Sequence, residues 1–132
     1  MHIYCNFTKP PKYKFIIVVS VSDTKISFLF INSEINYNLN EENNAFIDSQ
    51  VSIFNIKQYD FLSKYKSYID CSNLHKLDYE EIFNQFENHV AEFKGTLEKD
   101  ILKKIIEVAN SCPLLPKVDK DIINKNFTPL SV

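Results

Sequence analysis

The sequence predicts a mainly-β α+β domain, a small curled sheet or barrel followed by an amphipathic helix. Two β-branched apolar runs, 15–21 (FIIVVSV) and 26–32 (ISFLFIN), flank the turn residues Ser22, Asp23, Thr24 and Lys25, the pattern of a β-hairpin. Further on, Ile101, Leu102, Ile105, Ile106, Val108 and Ala109 fall on one helical stripe that Pro113 ends. The 132 residues, 45% of them hydrophobic, suffice for one core and exclude two full domains, so 1–132 reads as a single domain.

Taken in order, Pro10 and Pro11 exclude helix interior and central strand, because neither donates a backbone hydrogen bond. Residues 1–14 therefore read as an extended N-terminal segment. The unbroken apolarity of both hairpin strands predicts that both of their faces are covered. Residues 33–48, rich in Asn and Glu without a period, read as a long loop, and such length hints at function. Alternation predicts a third strand over 50–56, and 57–64 reads as one or two helical turns. Short strands follow at 67–70 and 74–77. Asp78 reads as the cap of a helix to about 86, with Glu80 and Glu81 in its first turn. Residues 89–94 alternate and end at Gly95, the chain's one glycine, where a backbone angle closed to other residues or a close approach is expected. Thr96 reads as the cap of the strong helix. Residues 113–132 hold a second short helix within 116–127, with Val118, Ile122 and Ile123 on one side, and a tail.

Fifteen cations, all Lys, face seventeen acids for a net charge of -2. This excludes a strongly cationic nucleic-acid protein but leaves a local basic patch open. With no Arg, any phosphate chemistry rests on Lys, amides, hydroxyls or backbone. Cys5, Cys71 and Cys112 are odd in number, with no CxxC and no His at zinc-finger spacing. Neither a disulfide framework nor a metal site is indicated, and a reducing cytoplasm is expected. The N-terminus lacks a charged-then-apolar leader and the longest apolar run, 15–19, is too short for a bilayer, so neither secretion nor a membrane span is expected.

The order of pieces resembles a known family. Lys14 leads into FIIVVS; Phe30, Ile31, Asn32 and Ser33 end a strand in small polar residues; Tyr68, Ile69, Asp70, Cys71 and Ser72 form an Asp-bearing segment; Lys94, Gly95, Thr96 and Leu97 lead into the last helix. Over about 13–112 this order is similar to that of the MazF/PemK (Kid) toxin endoribonucleases. The resemblance implies an SH3-like barrel with its first strand supplied by residues 2–7. It further implies a homodimer, an antitoxin partner, and cleavage of single-stranded RNA without metal or other cofactor. Lys14 stands where the family has arginine, Phe15 where it has proline, and the family's glycine-rich loop is missing.

On that resemblance Lys14, Ser33 and Asp70 are the candidate catalytic residues: a cation at the phosphate, a hydrogen-bonding hydroxyl, and a base or positioning acceptor. Lys12, Tyr13, Asn32 and Tyr68 are the candidate RNA-binding residues. Four of these have a plainer reading: Lys14 as a solvated strand flank, Asn32 and Ser33 as strand-end polar groups, Asp70 as a turn former. Tyr59, Leu62 and Tyr65, with lysines interleaved, read better as the buried side of a short helix than as a nucleic-acid groove. Cys71 and Cys112 read as buried hydrophobes, His75 and His89 as isolated surface or half-buried residues, and His2 as a terminal residue. The alternative function is a non-catalytic module that holds a protein partner, in a toxin–antitoxin or phage-defence assembly, through the 34–48 loop or the apolar C-terminal helix.

Overall fold

In the computed structural model, which describes residues 1–35, 42–56 and 59–127, the predicted hairpin is the centre of a six-stranded antiparallel sheet. The chain runs β1 (His2–Cys5), β2 (Lys12–Val21), β3 (Lys25–Asn32), α1 (Glu42–Asp48), β4 (Gln50–Phe54), β5 (Lys66–Asp70), β6 (His75–Asp78), α2 (Tyr79–Glu87), α3 (Lys99–Ser111) and α4 (Lys117–Phe127). Across the sheet the order is β1-β2-β3-β5-β4. β3 forks, its first half pairing β6 and its end pairing β5 through Ile31–Ile69 and Asn32–Tyr68. A register shift between Val18 and Ser20 marks a bulge in β2, a feature that bends and twists a strand.

The apolar runs are buried on both faces. Ile17, Val19, Leu29 and Ile31 join Val51, Ile53 and Ile69 under Ile105 and Ala109 of α3 and Ile123 of α4. Ile16, Phe28 and Phe30 of the same two strands join Ile3, Cys5 and Ile82 of α2 on the other face. β4 and β5 alternate instead, because the helices cover only one of their faces: Val51, Ile53 and Ile69 are buried while Ser52 and Tyr68 are half-buried.

Closure into an SH3-like barrel does not occur. Among the described residues β1 and β4 lie at opposite edges of an open sheet, and helices on its two sides supply the covering that closure would have given. The expected loop 33–48 ends in helix α1, whose seven residues are too few for a helical period to show; residues 36–41 lie outside the described residues. Of the helical turns expected over 57–64, residues 57 and 58 lie outside the described residues. The rest is a tight turn, in which Tyr59 N–H donates to Ile56 O at 2.7 Å and Leu62 N–H to Tyr59 O at 3.1 Å. Residues 89–94 join the sheet by a single bridge, His2–Glu92. Helix α3 begins at Lys99 after Glu98 rather than after Thr96: Glu98 is extended and its N–H donates to the Tyr59 hydroxyl at 3.1 Å. Val118 is exposed, and Asp119 is the buried residue of that turn, paired with Lys76 of β6 at 2.7 Å. Gly95 has φ 153°, as its uniqueness predicted. No helix among the described residues is long and apolar enough to cross a membrane.

Candidate nucleic-acid interface

Strand pairing places residues from distant parts of the chain on one side of the sheet. Ile31 sits between Phe15 and Ile69, and Tyr68 between Asn32 and Ser52, with Gln50–Asp70 and Phe54–Lys66 alongside. By period-2 alternation Lys12 and Lys14 of β2, Phe30 and Asn32 of β3, Lys66, Tyr68 and Asp70 of β5, and Ser52 and Phe54 of β4 share that side. Helix α2 covers its β1–β3 part, and the β5–β4 part remains accessible.

At the centre, the half-buried Lys14 ammonium donates to Asn32 Oδ1 and lies 5.1 Å from the Phe30 ring centroid. Burial holds its pKa below the usual lysine value; Lys12 adds to that shift, while Cys5 and Asp70 oppose it. The buried Asp70 carboxylate is fixed at Oδ1, which accepts Gln50 Nε2 at 3.0 Å, Ser72 N–H at 2.9 Å and the Ser72 hydroxyl. The His75 ring stands 4.2 Å from that of Phe30, with Phe28 stacked at 5.6 Å and Phe7 at 6.3 Å. Burial lowers the His75 pKa below 6.5, with Asp70 opposing and Lys14 reinforcing the shift. Its ring nitrogens make no hydrogen bond among the described residues, so a neutral imidazole with free valences faces this cluster at neutral pH. Towards β4, Lys66 Nζ lies 5.4 Å from the Tyr68 ring and 5.9 Å from that of Phe54.

Lys12, Lys14, Asn32, Tyr68 and Asp70, singled out from three separate stretches of sequence, thus lie on one side. Tyr13 and Ser33 do not. Tyr13 alternates to the other side and stacks on His2 at 5.2 Å, and Ser33 follows the last residue of β3; both line a hollow at the sheet rim. The Tyr-rich stretch divides: Tyr59 and Leu62 are buried as expected, but Tyr65 is exposed and packs on Phe54 at 5.5 Å. His75 was missed because its neighbours Phe28 and Phe30 come from β3, so nothing beside it in sequence announces them. Phe54 was legible only as sharing one side of the expected strand with Ser52 and Ile56. The three cysteines are free and buried, with burial pushing the Cys71 thiol up to about 12 and that of Cys5 to about 11, outside nucleophilic range. Among the described residues no three His, Cys, Asp or Glu side chains gather as a metal site.

No family model matches the chain, and comparison with curated proteins and with solved structures finds no significant match.

Proposed function

We propose that this chain is a metal-independent endoribonuclease of the MazF/PemK kind, acting on single-stranded RNA laid across the accessible β5–β4 part of this side of the sheet and the adjoining Lys12–Lys14 start of β2. One observation carries the reading: Lys14, Asn32, Tyr68 and Asp70 meet there with Lys66, Phe54 and His75. Tyr68 and Phe54 offer ring faces to bases, and Lys66 and Lys12 offer counter-charge, the combination a single strand requires. Cleavage proceeds by attack of the ribose 2′-oxygen on phosphorus. The 2′ proton passes to a base, the P–O5′ bond breaks, and O5′ takes a proton, leaving a 2′,3′-cyclic phosphate and a 5′-hydroxyl. Neutral His75 is the base. The Lys14 ammonium, oriented by Asn32, stabilises the phosphorane charge and, with its lowered pKa, gives up the proton. Asp70, its Oδ1 saturated by three donors, acts as a fixed negative charge that favours both cations over their neutral forms.

A second reading rests on a different surface. Val21 (60% exposed), Phe83 (46%) and Phe93 (71%) lie around Met1 and Val18 at an apolar hollow of ≈ 190 Å³, suited to a protein partner in a non-catalytic module. The C-terminal helices are unsuited to that role, because the α3 stripe is already packed into the core.

Incubation with fluorescent single-stranded RNA in EDTA tests the first reading. Wild-type cleavage is expected, falling by about 10²–10³-fold in Lys14→Ala with the fold retained by circular dichroism. Undiminished cleavage in Lys14→Ala removes that residue from the mechanism, and RNA bound but uncut by the wild type leaves a binding module.

A further inference from the structure

At the rim of the sheet, where β2 begins, β3 ends and β5 begins, a hollow of ≈ 210 Å³ opens under the turn at 62–63. Its polar lining is Lys12, Tyr13, Lys14, Ser33, Ser63 and Ser67. Ser67 is 3% exposed, yet its hydroxyl has no hydrogen-bond partner among the described residues. Buried hydroxyls are nearly always bonded to protein, water or ligand, so this one points to an occupant of the hollow. The Lys12 ammonium, Tyr13 hydroxyl, and Ser33 and Ser63 hydroxyls are likewise unpartnered among the described residues. Among the described residues no carboxylate lines the hollow, and the neighbouring Glu34 is already paired with Lys64 at 2.7 Å. Donors with lysine charge and no acid select an oxyanion over a cation or a neutral group. A water occupies roughly 30 Å³, so the space admits a tetrahedral oxyanion with attendant waters.

We propose that this hollow is a phosphate-group site, anchored on Ser67 and Lys12. As the place where the strand's neighbouring phosphodiester sits beside Lys14 it rests on the ribonuclease reading; as an oxyanion site it does not. Tyr13 and Ser33, on the far side from the Lys14 ammonium, then serve the strand at this second phosphate.

The test titrates the full chain with inorganic phosphate at constant ionic strength set by sodium chloride, following backbone amide NMR shifts. Saturable shifts at Ser33, Ser63 and Ser67 are expected. Ser67→Ala, which removes an unpartnered hydroxyl and so folds, should lose them, and Lys12→Gln should weaken them at least about fivefold. A parallel arm measures a tetrauridylate: its affinity should fall about 5–10-fold in each variant, and Lys12→Gln should reduce the log–log salt slope by about 0.7, one phosphate contact. Phosphate shifts that are absent, or equal in wild type and Ser67→Ala, overturn the site even if RNA binds. Saturable phosphate binding without RNA binding keeps the site, as one for free phosphate groups, and overturns the ribonuclease reading instead.

Discussion

His75 shows how one side chain joins stability to activity. Half-buried against Phe7, Phe28 and Phe30, it resists protonation, so its folded pKa lies below 6.5. The unfolded chain therefore takes up a proton at pH values where the folded chain refuses it, and stability falls as pH drops below 6.5 towards the folded pKa. Above 6.5 the contribution is fully present. His2 is shifted in the same direction, so the comparison is with His75→Gln, which should show a shallower loss of urea-midpoint stability between pH 6.5 and 5 than the wild type. An identical pH slope would mean that the imidazole is as easily charged in the fold as in the open chain. The same residue shapes the rate. Cleavage should rise with pH until His75 is neutral and decline at high pH as Lys14, itself below the usual lysine value, loses its proton; His75→Gln should remove the acidic limb.

At the scale of elements, the ends of α2 and the start of the 96–98 segment rest on two residues with positive φ. His89 (φ 57°) closes a Schellman turn in which Val90 N–H reaches Gln85 O at 2.7 Å and His89 N–H reaches Phe86 O at 3.1 Å. A left-handed angle costs a non-glycine residue about 1–2 kcal/mol, so His89→Gly should stabilise the protein by about 1 kcal/mol in urea denaturation. Gly95→Ala should act oppositely, costing roughly 1–3 kcal/mol. Equal stability of wild type and either variant would show that the turn tolerates a different backbone. These two positions also mark what the sequence could reveal. Gly95 was legible because a lone glycine has few other reasons to be there. The His89 turn was not, because histidine carries no such signature. The hairpin was legible from its two β-branched runs around a turn, and β4, β5 and the two C-terminal helices because their apolar residues follow a period of 2 or 3.6. Helix α1 was not, its seven residues being fewer than the window over which a helical period shows, while of the turns read over 57–64 the described residues keep the one at 59–62. The five residues that share one side of the sheet were identified singly; their meeting depends on the β3–β5 pairing, a long-range contact that no local pattern encodes.

At the scale of the molecule, openness of the sheet changes what a dimer would do. In the family that the sequence resembles, paired barrels cleave RNA in or beside their interface. Here the exposed apolar surface runs from Val21, at the end of β2, to Phe83 and Phe93 beside Met1 and Val18, whereas Lys12 and Lys14 lie at the start of the strand. Seven strand positions separate Lys14 from Val21 and four separate it from Val18, about 23 Å and about 13 Å at roughly 3.3 Å per residue. A second copy seated on the apolar surface would therefore leave each sheet face exposed and separate. Sedimentation should show wild-type protein at twice the 15.5 kDa chain mass, and Phe93→Asp, a change at an exposed ring, should return it to the single-chain mass. Cleavage per chain should be unchanged in that variant, since no residue of the Lys14 cluster belongs to the surface it alters. A monomeric wild type would remove the interface. A Phe93→Asp monomer that had lost cleavage while keeping its fold would instead place the reacting phosphate where two copies meet, and would return Lys14 to a supporting role on one side of a shared groove.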